Sequence, residues 1–457
     1  MQANEIYIEG SPGERRAGML DQDGRVIGFA FDRPTRPRFA EAVYRSRVQE
    51  IDKRTGAAFL DLGLGTSALL SRGKGLTAGE MLTVQIARDS HADKGAAAVR
   101  QVVLWGRYLA FQPGRGGGFQ CARQLGQGKR RADALARAEA AIEDPTDLIL
   151  RGPAAAAEQD VLAREAELLR ARWTEISSTA AQTSKPECLS TAPGFVELVL
   201  REAAPDARVA LDDRLDFAHA ETLIDDRFPD LACGLAFHDG KHPIFDEAGL
   251  NDALEMALAD EVAITGGGRI TIEETRALTA IDVDIGGGEQ GLAAGPEAQH
   301  RLNRRAAEEI GRQILLRNLS GLIAIDFAGF TQRGKMKALI DILRSRLKHG
   351  EGHCDILGIT AAGLVEVTRQ RTGPGLGELM TARTGGSTLS PDAEAAEALR
   401  RTLRLSGAGK PVATLSAAAI ACLKGPMRQA LVETERRLGQ PITLIDGPVG
   451  PDCRLQR

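Results

Sequence analysis

Three aspartates stand where carboxylates are seldom left, inside short runs of aliphatic residues. In the stretch 269–284, RITIEETRALTAIDVD, Ile281 and Val283 alternate with Asp282 and Asp284. A strand with this alternation turns one face to a core and places both carboxylates on the other. The run 322–327, LIAIDF, repeats the arrangement, with Ile323, Ile325 and Phe327 opposed to Ala324 and Asp326. Burying an unpaired carboxylate costs several kcal/mol, so such residues belong at solvated strand ends, in salt bridges or around a cation. A hard divalent cation takes oxygen ligands, and magnesium needs only one or two protein carboxylates beside water and substrate phosphate. Spacing alone leaves two readings open: solvated or ion-paired strand-end aspartates, or ligands of a metal that works on phosphate.

The elements around them are helices and further strands. LNDALEMALADEVAI reads as a helix that leads through the turn Gly266–Gly268 into the first aspartate strand. Three glycines at 286–288 follow it, either a flexible rim beside a polyanion or a plain loop. In QHRLNRRAAEEIGRQILLRNLSG, Leu302, Ala306, Ile310 and Ile314 recur at helical spacing, and Asn303 stands early enough to orient a water or a phosphate. Beyond Asp326 a second helix buries Met336, Leu339, Leu343 and Leu347 and carries Lys335 and Lys337 among its cations. Such a charge run is either an ordinary solvated face or the cationic flank that a phosphodiester requires. A strand pair over 353–371 ends on Arg369 and Arg371.

The amino-terminal half is richer in strands. Residues 5–35 read as short strands with a hairpin turn at Asp23 and Gly24, and 41–112 as a small barrel of short strands with glycine turns. Arg45 lies near Tyr44 and Phe59, the combination with which an oligonucleotide barrel stacks a base and holds a phosphate; each aromatic is equally at home in a core. The glycine-rich basic segment 114–131 lacks the ordered spacing of a phosphate-binding loop. Helices are expected over 131–142 and 154–177, and between them the short strand DLILRG ends on Arg151, an edge cation or a phosphate ligand. His238 and His242 have no third soft ligand nearby and read as surface histidines. The last 65 residues read as a small α/β domain.

With 457 residues the chain is long enough for two or three domains, each with a full core. Six scattered cysteines without any CxxC argue against a disulfide framework and a thiolate zinc site. The net charge of -4 does not favour nucleic acid, yet a catalytic groove needs only a local basic field. No apolar run of membrane-spanning length and no signal-type segment is present, so a cytoplasmic location is expected.

The stretches ALTAIDVD, NRRAAEEIGRQILLRNLSGLIAIDF and GLVEVTRQR resemble the catalytic region of the ribonuclease E/G family of bacterial endoribonucleases. The resemblance implies an α/β multidomain protein with RNase H-like and DNase I-like α/β subdomains, an inserted S1-type OB barrel and a small C-terminal α/β domain. The implied boundaries are 1–38 and 216–268 for the RNase H-like subdomain, 39–125 for the barrel and 126–215 for a 5′-sensor-like region. The DNase I-like metal-bearing subdomain follows at 269–380, a linker at 381–392 and the small domain at 393–457.

In that family the two motif aspartates hold magnesium, which points to Asp282 and Asp326 here, with Asp284 in a position the family fills with Asn. The resemblance implies hydrolysis of single-stranded RNA with Mg2+, for which Mn2+ can substitute, with Asp284 assisting the two metal ligands; Asn303 is expected in support from its place early in the helix. RNA contacts are expected from Tyr44, Arg45, Phe59, Arg151, Lys335, Lys337, Arg369 and Arg371. Several departures stand out. No cysteine follows GLGEL, so no zinc link between subunits is expected, while a homodimer through the C-terminal domain stays open. The sensor's Arg-Thr pair is Arg151-Gly152, which puts preference for 5′-monophosphate ends in question. The second barrel aromatic is matched to Ala68, and Arg276 replaces a Glu. The alternative reading is a non-catalytic RNA-binding or regulatory protein on the same scaffold.

Overall fold

The computed structural model describes residues 2–90, 95–284, 296–329, 333–348, 350, 352–382 and 388–456. The chain opens with β1 (Ala3–Ser11), β2 (Glu14–Leu20) and β3 (Val26–Asp32), an antiparallel meander. Asp21 caps the β2–β3 turn by accepting from the Asp23 and Arg25 amides, and Gly24 supplies the positive φ of 71° that the turn needs.

Next come β4 (Val43–Ile51), β5 (Ala58–Asp61), β6 (Ser67–Leu70), β7 (Met81–Arg88) and β8 (Ala97–Val99). β4 pairs with both β5 and β7, so the ladder β4-β5-β6-β8-β7 closes into a five-stranded barrel and leaves no free edge in the ring. Its interior holds Val48, Leu60, Val84, Ile86 and Ala98. A small sheet follows from β9 (Leu104–Trp105), β10 (Leu109–Phe111), β11 (Gln120–Cys121) and β12 (Leu148–Leu150), packed with α1 (Lys129–Ala141) and α2 (Gln159–Gln182).

The chain then returns twice to earlier sheets. β13 (Glu187–Ser190) pairs with β4 of the barrel. After α3 (Phe195–Arg201), β14 (Ala203–Leu211) lies parallel to β1; after α4 (Arg214–Arg227), β15 (Leu235–Phe237) lies parallel to β14. The resulting order is β15-β14-β1-β2-β3. Helices α3 and α4 pack on one face, and α5 (Ile244–Glu247) and α6 (Leu250–Leu258) on the other. Two assignments therefore differ from the boundaries drawn on the sequence. Residues 203–211, placed with the sensor-like region, belong to the first sheet, and β9 to β11, placed with the barrel, belong to the small sheet. Pairings between distant segments leave no trace in local periodicity.

The third sheet contains β16 (Glu261–Ala263), β17 (Arg269–Glu274), β18 (Leu278–Asp284), β19 (Gly321–Asp326), β20 (Cys354–Ile359) and β21 (Val365–Arg369), in the order β16-β17-β18-β19-β21-β20. α7 (Pro296–Leu316) connects β18 to β19, and α8 (Arg333–Leu347) follows β19. Both helices pack on one face, where Ile281, Val283, Ile323 and Ile325 meet Leu302, Ala306, Ile310, Ile314, Leu339 and Leu343. Each such buried aliphatic is worth about 2 kcal/mol. A one-residue slip of β18 or β19 would expose them and bury the aspartates, so the alternation pins the register.

After α9 (Leu376–Met380), whose Leu376 and Met380 pack with Leu254, Ala257 and Leu316, the C-terminal unit comprises α10 (Pro391–Leu403), β22 (Lys410–Leu415), α11 (Ala417–Lys424), α12 (Arg428–Leu438), β23 (Thr443–Asp446) and β24 (Asp452–Gln456). Its α10 docks on the first sheet through buried charges. Arg400 pairs with Glu9 and Glu14, Arg404 with Glu9, and Asp392 with Arg33 and Arg36.

Candidate metal centre

β18 and β19 run parallel in a register that carries Leu278 opposite Leu322 and Asp282 opposite Asp326. Neighbouring strands lie about 4.8 Å apart, so the two side chains stand next to each other on the face that α7 and α8 leave uncovered. Both are exposed, and neither has an ion pair or hydrogen bond among the described residues. Two such carboxylates repel, and a bound divalent cation would relieve the repulsion.

Asp284 is two residues further along the same face, opposite Arg269 of β17, whose guanidinium lies 3.1 Å away. Its charge is answered from within the sheet, unlike that of its neighbours. No group of three or more His, Cys, Asp or Glu residues is arranged to hold a metal among the described residues. Among the described residues the donors are thus two carboxylates open to water, which fits the coordination habit of magnesium better than that of zinc.

The connections place positive ends at the same spot. Each carboxylate strand is followed in the chain by a helix, α7 after β18 and α8 after β19, so both helix N-termini, with the positive ends of their dipoles, belong to the carboxylate end of the sheet. Lys335 of α8 reaches Glu297 of α7 at 2.9 Å and ties the two starts together, while Lys337 is exposed. The glycines at 286–288 lie outside the described residues. Asn303 is fully buried and donates its amide to the Ala328 carbonyl at 3.0 Å, so it holds backbone and does not reach a phosphate in solvent.

The other residues expected to bind RNA separate into available and spent. Phe59 is 40% exposed on the barrel. Its cross-strand neighbour on that face is the half-buried Leu69; Ala68 points inward, so the second stacking position is filled by an aliphatic residue. Tyr44 is 3% exposed and belongs to the barrel core, where burial and the adjacent Cys188 push its hydroxyl up to about 12. That corrects its reading as a stacking residue. Arg45, its neighbour on β4, points the other way and is half-buried.

Arg151 is buried, with its guanidinium on Glu202 and the Gly106 carbonyl and near the Trp105 ring. Burial would raise the Glu202 carboxyl, but Arg151 and Arg201 outweigh it and hold it below its ordinary value. Arg369 is buried on Asn318 and the Leu319 carbonyl, and Arg371 pairs with Glu378 at 3.2 Å. Arg369 lies opposite Gly321, at the start of the strand that Asp326 ends. At about 3.3 Å per residue, that is roughly 16 Å from the carboxylates. Arg369, expected among the RNA contacts, therefore stands at the far end of the strand from the carboxylates.

Two neighbours were missed from the sequence. Thr271 stands opposite Asp282 and Arg269 opposite Asp284, because β17 and β18 form an antiparallel hairpin. The alternation of RITI immediately before the first aspartate strand carried that signal.

Fold and site together define a class: a multidomain α/β protein that joins a closed five-stranded barrel to a paired-carboxylate centre. The model of the ribonuclease E/G family matches residues 103–372, a span that takes in Arg151 and both aspartates, and the chain belongs to that family. It is 26% identical to ribonuclease G of Escherichia coli (strain K12) over 481 aligned positions, covering 97% of each chain. Ribonuclease G of Haemophilus influenzae is 25% identical over 81% of this chain and 80% of that protein. Ribonuclease E of Escherichia coli (strain K12) is 27% identical over 80% of this chain but only 36% of its own length.

Proposed function

We propose that the protein is a magnesium-dependent endoribonuclease that hydrolyses single-stranded RNA in RNA processing or decay, with Mn2+ as a substitute ion. The observation that carries the reading is the pair Asp282 and Asp326, at equal register on adjacent parallel strands, exposed and without a cationic partner among the described residues. Family membership and the similarity to ribonuclease G support the substrate class. In this reading the first sheet is RNase H-like, the third is DNase I-like and the barrel is of S1 type; the protein works in the cytoplasm.

Asp282 and Asp326 would hold the ion. When bound, it supplies Lewis-acid polarisation of a phosphate oxygen and neutralises charge that builds up during in-line attack by water. The chain's own groups do the rest. The N-termini of α7 and α8 and the Lys335 and Lys337 ammoniums favour the phosphate backbone at the carboxylate end of the sheet. Phe59 offers its exposed ring to an unpaired base. Arg269 holds Asp284 to the neighbouring strand, leaving the other two carboxylates as ligands. Cleavage leaves a 5′-phosphate and a 3′-hydroxyl. A homodimer through the C-terminal domain would use a surface other than the α10 face already docked on the first sheet.

The test is incubation of a 5′-labelled, single-stranded AU-rich RNA with Mg2+ and the wild-type, Asp282→Asn or Asp326→Asn protein. Internal cleavage that disappears in EDTA and in both variants is the expected result. RNA that stays intact but is retained in a binding assay would overturn the enzyme reading in favour of a regulatory binder.

A further inference from the structure

The chain just past Asp326 is held in an unusual way. The Ala328 carbonyl accepts two side-chain amides from α7, one turn apart: Asn303 Nδ2 at 3.0 Å and Gln299 Nε2 at 3.1 Å. Only the NH2 end of an amide can donate to a carbonyl, so this contact also fixes which way each side chain faces. Between Asp326 and Ala328, Phe327 is buried in the core beneath the sheet. The turn is therefore anchored twice, by a ring below and by a carbonyl gripped from the side.

Gly329 completes the device. Its φ is 63°, and a Cβ there would fall 1.9 Å from Gln299 Nε2, so only glycine leaves room for the Gln299 amide. Asn303 is fully buried, and its Oδ1 has no hydrogen-bond partner among the described residues. Gln299 and Asn303 sit in the opening turns of α7, the helix that follows β18 and its Asp282. One helix start thus grips the chain end that carries the opposite carboxylate.

We propose that Gln299 and Asn303 form a two-amide clamp, with Gly329 as its seat, and act as positioning residues that hold Asp326 at the spacing from Asp282 needed to share one divalent ion. The proposal rests on the metal reading of that pair. Without the clamp the Asp326 strand end frays, the two carboxylates spend less time at a common distance, and affinity for the ion falls while the ligands themselves are intact. Loss of a group that orients a metal ligand typically weakens metal binding about 10- to 100-fold. Gln299 is the more informative member, because it is only half-buried and its replacement leaves the core untouched.

The experiment compares the wild type with Gln299→Leu, which keeps the bulk and removes the donor, and with Gln299→Lys, which restores a donor of similar reach. Mn2+ binding is titrated by electron paramagnetic resonance on each full-length protein, and hydrogen exchange is followed at the amides of residues 327–329. Gln299→Leu is expected to weaken Mn2+ about tenfold and to speed exchange in those residues, with an unchanged melting temperature and with Gln299→Lys recovering most of the affinity. Cleavage at saturating Mn2+ should stay near the wild-type rate while the half-saturating concentration rises. Wild-type Mn2+ affinity in Gln299→Leu, or equal weakening in the Leu and Lys variants, would overturn the clamp alone. A wild-type protein that binds no Mn2+ at Asp282 and Asp326 would instead sink the metal reading, and the clamp's role with it.

Discussion

The molecule contains two carboxylate pairs of similar construction. Asp282 and Asp326 stand opposite each other near the ends of adjacent parallel strands, and Glu9 and Asp212 stand one residue beyond the registered pair Ile8 and Leu211 of the parallel strands β1 and β14. The difference lies in what answers the charge. Glu9 is buried against Arg16 at 3.1 Å, Arg400 at 2.8 Å and Arg404 at 3.0 Å, and α10 roofs a cleft of about 470 Å³ lined by Glu9, Asp212, His238 and Lys241. Asp212 accepts the Gly10 amide, and burial, with Glu9 and Asp213 nearby, pushes its carboxyl up to about 6. Asp282 and Asp326 have no such partners among the described residues. The first pair has become a joint for the C-terminal domain; the second is exposed, and in the proposed function it takes the cation.

Chemistry offers the sharpest way to break this comparison. Asp282→Asn or Asp326→Asn should lower the RNA cleavage rate at least about 10³-fold, equivalent to roughly 4 kcal/mol of transition-state stabilisation. The double variant should be little worse than either single one, because the two act as a unit. Glu9→Gln, in a different sheet from the aspartate pair, should leave the rate per folded molecule within about twofold of wild type. A Glu9 variant that folds and yet loses cleavage would show that the two pairs have been assigned the wrong way round.

Stability should show the opposite ranking. Glu9→Gln leaves Arg400 and Arg404 facing a neutral group in a buried interface, a loss of about 3 to 5 kcal/mol that urea denaturation would report. Asp282→Asn removes like-charge repulsion in the metal-free protein and should be neutral or slightly stabilising. Asp212 adds a pH signature. Its folded pKa lies above the unfolded value, so the folded state holds the extra proton, and stability falls as pH rises from about 4 to 6. Asp212→Asn should flatten that window and gain up to about 3 kcal/mol at pH 7.

How far the sequence reveals this arrangement depends on the distance between partners. Alternation in TAIDVD and LIAIDF was enough to put each aspartate on the face away from the core, and the glycine turns and short strands were enough to expect a barrel. Strand order and direction were not legible, because pairing is decided by segments far apart in the chain. Arg369 and Arg371 were expected to contact RNA, but the sequence does not show that β21 runs antiparallel to β19 and carries Arg369 to the end away from the aspartates. Tyr44 and Phe59 look equivalent as lone aromatics among basic residues; only barrel closure separates a core ring from an exposed one. Glu9 and Asp212 passed unremarked, although IYIEG and VALDD show the same acid at the end of an apolar strand as AIDVD. The rule that found one pair would have found the other.

Smaller effects sharpen the account at the RNA contacts. Phe59→Ala should weaken single-stranded RNA by about 1 to 3 kcal/mol, read as a rise in Kd, whereas Tyr44→Phe should leave the Kd unchanged. Arg151 is held by Glu202, and a phosphate would have to displace that buried partner. RNAs with 5′-monophosphate and 5′-hydroxyl ends should consequently be cleaved at rates within about threefold of each other in a competition assay.

The central claim is that an open carboxylate pair, and not the arginine-closed one, takes the divalent ion. Mn2+ binding measured on the wild-type, Asp282→Asn, Asp326→Asn and Asp212→Asn proteins tests it directly. The account predicts one ion per chain, lost or strongly weakened in the Asp282 and Asp326 variants and retained in the Asp212 variant. An ion that survives loss of Asp282 and Asp326 but disappears with Asp212 would contradict it.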